Sequence, residues 1–284
     1  MSLATLLFVF SFSSALAESV EEDTLLSDAN KLFLKREENF TAIDTARARY
    51  LKILPKLSFE NKLKAYVRLA RLDTYEALIT PESDSIKLKG IFERCLTTLE
   101  PLANSNRAEY LYWVSGCLGG WAFADQGHTI ESLWKINKAW KLLKQCLSTN
   151  PRYEGGGCYR IVGAILGGAP PINPTGPSRD LVKAREYLEI AIQSESSDNI
   201  DSGYSKETAS GSYYYHVYYL YALVLDAEHD RPGAIAVIEE ALDRLSNADQ
   251  ELLCSAANNL PCGREPETRA EKKQLQKLLT SYRQ

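Results

Sequence analysis

Residues 139–151 read AWKLLKQCLSTNP, and this stretch carries the pattern that decides the fold. The small residue Ala139 is followed four positions later by Leu143 and three positions after that by Cys146. Positions i, i+4 and i+7 share one face of an α-helix, and Pro151 marks where such a helix must end. The same spacing of small or apolar residues recurs at Ala46/Tyr50/Ile53, Leu88/Phe92/Cys95, Ala184/Leu188/Ala191 and Ala234/Ile238/Ala241.

This spacing resembles the second helix of a tetratricopeptide repeat, in which small residues let two antiparallel helices approach closely. We therefore predict an all-α fold, a right-handed stack of antiparallel helix hairpins in a single domain over residues 18–284. An ordinary helical bundle that uses alanine in its core is the alternative. Partner helices are predicted near residues 20–38, 59–79, 107–126, 153–168 and 204–228, and a C-terminal capping helix near 266–282.

The first seventeen residues, MSLATLLFVFSFSSALA, are typical of a signal peptide. The apolar run from Leu6 to Phe12 is shorter than the roughly 20 residues that a membrane-spanning helix needs. It is followed by Ala15-Leu16-Ala17, a small-x-small site of the kind that signal peptidase cleaves. A buried N-terminal helix is the alternative. Cleavage predicts a periplasmic or secreted protein, and the rest of the sequence predicts no membrane span.

The cysteines fit an exported protein, because the chain has six of them and an oxidising compartment favours disulfides. Cys146 and Cys158 lie on either side of the Pro151 turn, so an antiparallel helix pair brings them nearly level. A second pair occupies the same relative helices one repeat earlier, and a third brackets a short loop. The predicted disulfides are Cys95–Cys117, Cys146–Cys158 and Cys254–Cys262.

Composition and motifs favour a protein without catalytic activity. The net charge is −4, whereas nucleic-acid-binding proteins usually carry a basic excess. The sequence contains no phosphate-binding loop motif, no H-E-x-x-H and no G-x-S-x-G, and its three histidines lack metal-ligand spacing. Gly155-Gly156-Gly157 follows a turn, but no predicted strand precedes it, so we expect these glycines to let helices touch. We predict no enzyme activity, no cofactor, no metal and no nucleic-acid partner.

Aromatic residues supply the candidate binding site. Residues 213–221 read YYYHVYYLY, and on a helix Tyr214, Tyr218 and Tyr221 form one stripe. Such a stripe either lines a ligand cleft or packs in the core with its hydroxyls bonded to backbone or water. Arg160 lies in an otherwise apolar helix and therefore requires an acidic partner or an anionic ligand. The candidate ligand-binding residues are Trp113, Trp121, Tyr159, Arg160, Tyr214, Tyr218 and Tyr221.

Three segments together resemble the T-component family of TRAP-associated transporters. They are NPRYEGGGCYRIVG at 150–163, followed by Ala169-Pro170, SRDLVKAREYLEIAI at 178–192, and YYLYAL at 218–223 followed by the helix from Ala234. The resemblance covers roughly residues 107–245. It implies a periplasmic, all-helical protein that can form trimers and that partners an extracytoplasmic solute-binding protein. It also implies transfer of a small apolar or organic-acid ligand to a membrane permease, and it supplies no catalytic residues.

The function predicted from these features is that of an exported, non-enzymatic accessory subunit in TRAP-type transport. It binds a periplasmic solute-binding protein, a small ligand or both. A general periplasmic or secreted protein-interaction scaffold of the tetratricopeptide type is the alternative.

Overall fold

The fold was analysed in a computed structural model, which describes residues 21–36, 40–103, 105–125, 129–194, 215–251 and 265–284. Within these ranges every regular element is helical, which confirms the predicted all-α class. The predicted signal peptide, the Cys254–Cys262 pair and Tyr214 lie outside the described residues. The α-helices are α1 (21–34), α2 (Phe40–Ile53), α3 (Phe59–Ile79), α4 (Ser85–Leu99), α5 (Ala108–Ala124), α6 (Ile130–Thr149), α7 (Tyr153–Gly168), α8 (Leu181–Gln193), α9 (Tyr215–Ala227), α10 (Arg231–Glu251) and α11 (Glu265–Arg283).

The helix boundaries follow local signals in the sequence. Asp84, Thr129 and Asp180 precede α4, α6 and α8, and each side chain accepts a hydrogen bond from the backbone N–H three residues later. Such caps satisfy N–H groups that the first helical turn leaves without partners. Pro55 and Pro101 lie in short 3₁₀ turns directly after α2 and α4. The sequence therefore specifies where several helices begin and end without help from distant contacts.

The small–large–small positions that predicted the repeats form the core of the structure. Of the fifteen positions in the five matches, all but Phe92 are buried. Phe92 packs beside Gly120, where an added Cβ would lie 2.3 Å from the Phe92 ring. The pattern therefore identifies the buried face of α2, α4, α6, α8 and α10 correctly.

The chain divides into two compact units, Met1–Leu72 and Asp73–Gln284, with the boundary inside α3. In the first unit, the Phe33 ring of α1 meets the Tyr50 ring of α2 edge to face, with ring centroids 6.4 Å apart. Arg36, Arg68 and Arg71 surround the same Phe33 ring, with guanidinium carbons 3.9, 4.7 and 5.8 Å from its centroid.

In the second unit, helices adjacent in the sequence pack against one another. Helix α5 contacts α4, α6 and α7, and nearly all of its residues are buried. Helix α9 contacts α7, α8, α10 and α11. Helix α11 therefore packs on α9 and α10, the two helices before it. Among the described residues, no helix combines the length and apolar character that a bilayer span needs.

Two disulfides join neighbouring helices in the second unit. Cys95–Cys117 links α4 to α5, and Cys146–Cys158 links α6 to α7, each with Cα atoms 6.2 Å apart. All four cysteines are fully buried. Both pairs were predicted from the helix order, and the structure confirms them.

Candidate functional site

A buried aromatic cluster contains two of the predicted site residues, Trp113 of α5 and Arg160 of α7. The Trp113 Nε1–H donates to the Tyr153 hydroxyl at 3.2 Å, and Arg160 Nη2 donates to the Tyr112 hydroxyl at 2.7 Å. The Tyr112 ring meets the rings of Trp113 and Tyr153 edge to face, with centroids 5.0 and 5.4 Å apart. These four residues, Tyr112, Trp113, Tyr153 and Arg160, form what we call the Arg160 cluster.

A left-handed turn at the start of α7 positions this cluster. Glu154, Gly155 and Gly156 have φ angles of 51°, 59° and 75°, and all three residues are buried. A non-glycine residue such as Glu154 rarely adopts this conformation, and such strained residues concentrate at functional sites. Gly157 then touches Tyr112, because an added Cβ would lie 2.4 Å from the Tyr112 ring. The glycine run therefore lets α5 and α7 meet, as predicted.

Trp121 belongs to a separate cluster toward the end of α5. Its Nε1–H donates to Glu93 Oε1 of α4 at 3.0 Å, and Lys135 Nζ lies 4.1 Å from the ring centroid. Lys89 Nζ lies 5.2 Å from the same centroid and forms a 2.8 Å ion pair with Asp125. A lysine amine over an indole face is favourable because the face is electron-rich. The structure thus holds Trp113 and Trp121 in different surroundings.

Asp125 connects the end of α5 with the starts of α4 and α6. Its carboxylate accepts hydrogen bonds from Lys89, Ser132 and Thr129. These donors, with Lys89 contributing most, hold the pKa of Asp125 far below its usual range. The carboxylate is therefore a fixed negative charge that ties three helix ends together.

The remaining predicted residues lie around α7, α8 and α9. Tyr159 stacks on Tyr187 of α8, with ring centroids 6.0 Å apart. The Tyr221 hydroxyl donates to Glu189 Oε1 of α8 at 2.7 Å, and Tyr218 is buried. The indole nitrogens of Trp113 and Trp121 and the hydroxyl of Tyr221 all bond to side chains within the protein.

Substitution of Tyr221 by Phe is expected to lower the free energy of unfolding by about 1 kcal/mol near neutral pH, because the bond to Glu189 is lost. Burial, followed by that hydrogen bond, raises the pKa of Tyr221 to about 12. In the unfolded chain the Tyr221 phenol ionises near pH 10. The difference in free energy of unfolding between the wild type and the variant should therefore shrink between about pH 10 and 12. Urea unfolding of both proteins across this range measures the difference. A stability difference that stays constant up to pH 12 would contradict the raised pKa of Tyr221.

Sequence reasoning missed Tyr112 and Tyr153. Tyr112 directly precedes Trp113, which was identified, and Tyr153 lies two residues after Pro151. The Trp113–Tyr153 contact joins residues 40 positions apart, and the Arg160–Tyr112 contact joins residues 48 apart. Only the packing of α5 against α7 brings these side chains together.

Sequence reasoning also missed a set of exposed apolar side chains where helices begin. Ile86, Ile130 and Val182 lie one or two residues after the N-cap residues of α4, α6 and α8. Their exposed fractions are 83%, 88% and 54%. Each is an apolar β-branched residue within two positions of an N-cap, but no local signal distinguishes an exposed residue there from a covered one.

Three further apolar residues extend this surface: Phe123, Trp134 and Ile172, which are 68%, 56% and 82% exposed. Ion pairing between Lys89 and Asp125 joins the starts of α4 and α6 to the end of α5 that carries Phe123. Trp134 lies one turn before Asn137, which bonds to the loop that carries Ile172. We call the six residues, Ile86, Phe123, Ile130, Trp134, Ile172 and Val182, the apolar rim.

The loop between α7 and α8 is held firmly despite its length. Asn173 Nδ2 donates to Asn137 Oδ1 at 3.0 Å, and Asn137 Nδ2 donates to Thr175 Oγ1 at 2.7 Å. A side chain at Gly176 would displace the Asn137 amide, because an added Cβ would lie 1.5 Å from Asn137 Oδ1. These bonds hold the loop that carries the exposed Ile172 against α6.

The described structure defines the class of this protein: an all-helical protein of neighbouring helix pairs, cross-linked by two buried disulfides. No group of three or more potential metal-ligating side chains occurs among the described residues. No protein-family model matches the chain, and no curated protein matches it either.

Proposed function

We propose that this chain is an exported, non-enzymatic, tetratricopeptide-like accessory subunit of TRAP-type transport. In this proposal its hairpins form a right-handed stack capped by α11, and it binds a periplasmic solute-binding protein, a small ligand or both. The resemblance of residues 107–245 to the T-component family supports the proposal. Two disulfide-linked pairs fit an oxidising compartment such as the periplasm.

The Arg160 cluster is the observation that carries the ligand part of this proposal. It combines a buried guanidinium with two phenol rings and an indole. A guanidinium pairs with carboxylates through charge-assisted hydrogen bonds, and aromatic rings favour contact with an apolar ligand body. The left-handed turn at Glu154 is a strained element that a bound ligand could stabilise. The matching ligand is a small organic acid with an apolar body.

Small carboxylates test this directly by thermal unfolding and native mass spectrometry. A carboxylate at about one hundred times its dissociation constant should stabilise the wild type by about 2.7 kcal/mol. Arg160→Met removes the guanidinium and should weaken binding by about tenfold or more. Arg152→Met is the matched control, because Arg152 is exposed and its side chain makes no cap hydrogen bond at the start of α7.

The ligand part fails if no aliphatic mono- or dicarboxylate shifts the unfolding temperature at millimolar concentration. It also fails if the Arg160→Met and Arg152→Met variants respond equally. The partner part has a separate test, which is capture of a solute-binding protein from an exported fraction. Light scattering detects the trimer that the family resemblance implies. Capture of no such partner would contradict it.

A protein-interaction scaffold is the second candidate function. The observation that favours it is that Trp113, Trp121 and Tyr221 already direct their polar atoms to partners within the protein. Those side chains then have a structural role, and binding takes place on the surface of the helices. Peptide capture without any carboxylate response would favour the scaffold over the transport subunit.

A further inference from the structure

We infer that the apolar rim inserts into the interfacial region of a lipid bilayer and holds the second unit on a membrane surface. This inference rests on the rim alone and does not depend on the proposed transport function. It concerns docking on a surface, for which a spanning helix is not needed. The occupant is a bilayer with predominantly zwitterionic headgroups.

The shape of the rim favours lipid over a folded protein partner. Ile86, Ile130 and Ile172 are each more than four-fifths exposed, so each side chain stands clear of its neighbours. They lie at the start of α4, at the start of α6 and in the loop before α8. A protein surface needs a matching pocket for every such projection, whereas fluid acyl chains accept each one independently. Separate projecting side chains therefore suit a bilayer.

Trp134 and Lys138 reinforce this interpretation. Lys138 Nζ lies 5.2 Å from the centroid of the exposed Trp134 ring, one turn away on α6. Tryptophan and lysine both combine an apolar body with a polar end, and tryptophan concentrates at the level of lipid headgroups. Ile130 precedes Trp134 by one turn, so the same face of α6 offers one side chain to the acyl region and one to the headgroups.

The charges around the rim match a zwitterionic surface. Three acidic side chains beside the rim form ion pairs with lysines: Asp125 with Lys89, Glu131 with Lys135 and Asp180 with Lys183. Paired charges neither repel phosphate groups strongly nor depend on anionic lipid for attraction. Binding should therefore come mainly from apolar insertion and should persist at high salt.

The first experiment is co-sedimentation of the full chain with phosphatidylcholine vesicles in about 0.1 M and about 0.5 M salt, across which the Debye length shortens markedly. We expect the wild type to bind at both salt concentrations. The double variant Ile130→Ser/Ile172→Ser should lose about tenfold or more of its partition coefficient. The matched control is Leu51→Ser/Phe59→Ser, which alters two exposed apolar residues of the first unit. This control should bind like the wild type.

A second measurement identifies which residues enter the bilayer. Phosphatidylcholine brominated at the headgroup end of its acyl chains quenches tryptophan that lies at the membrane interface, and residues 1–17 contain no tryptophan. Quenching of the wild type should be largely lost in Trp134→Phe, because Trp113 and Trp121 are buried and the half-buried Trp140 is not one of the rim residues.

Failure of the wild type to bind vesicles, equal binding by the rim variant, or quenching unchanged in Trp134→Phe would each overturn the inference. Loss of capture of a protein partner in the rim variant, without vesicle binding by the wild type, would assign the rim to a protein. None of these results bears on whether a carboxylate binds at Arg160, so the two proposals fail separately.

Discussion

Replacement of Cys95 and Cys117 by alanine is expected to lower the free energy of unfolding by about 3 kcal/mol. The disulfide joins residues 22 positions apart and so restricts the unfolded chain, while both cysteines are buried among α4 and α5 in the folded state. Alanine is the appropriate replacement, because serine would place a hydroxyl in a buried apolar position. Denaturant unfolding of the oxidised wild type and of the variant measures the effect.

The second bridge supplies a matched comparison. Cys146 and Cys158 lie 12 positions apart, so their loss should cost about 0.5 kcal/mol less on entropic grounds. Because all four cysteines are fully buried, dithiothreitol should reduce the bridges slowly in the native protein and rapidly in denaturant. Equal stability of wild type and double variants would contradict both bridges, and peptide mapping without reduction would identify the actual pairing.

Substitution of Gly156 by alanine is the second change with a large expected effect, a destabilisation of about 3 kcal/mol. Its φ of 75° costs an L-residue about 1–2 kcal/mol. The new Cβ would also lie 2.7 Å from Ser194 Cβ and 3.2 Å from the Cα of Ala191, and such crowding costs about 1–3 kcal/mol. A backbone atom cannot move aside as a flexible side chain can, so the strain has little relief.

Gly119→Ala is the control, because it makes the same glycine-to-alanine change inside a regular helix instead of a left-handed turn. No atom lies within 4 Å of a Cβ at this position inside α5, so alanine should stabilise the protein by about 0.5–1 kcal/mol. Thermal and denaturant unfolding of both variants should therefore give effects of opposite sign. A neutral result at Gly156 would contradict the left-handed turn at the start of α7.

Much of the fold could be predicted from the sequence because its signals are local. The predicted partner helices at 59–79 and 153–168 coincide with α3 and α7. Their ends depend on caps, prolines and the period of apolar residues, all of which lie within one or two turns. The left-handed first turn of α7 was not predicted, because three consecutive glycines permit many backbone conformations. Packing against Ser194 and Tyr112 selects one of them.

The candidate site was predicted less well. The sequence indicated Trp113 and Arg160 but not Tyr153 and Tyr112, whose hydroxyls bond to them. It placed Trp113 and Trp121 on one helix correctly, although the structure assigns them to separate clusters. The solvent exposure of the apolar rim could not be predicted either. An isoleucine in the first turn of a helix has the same neighbours in the sequence whether another helix covers it or solvent does.

By itself, the sequence determined the helical class, the buried face of each matched helix and two disulfide pairs, because periodicity and helix order express those features locally. Only the tertiary structure decided which side chains meet across α5 and α7, which polar groups are satisfied within the protein and which apolar residues remain in solvent. Those outcomes depend on contacts between residues 28 to 48 positions apart. Such contacts arise when whole helices pack, and no short stretch of sequence encodes them.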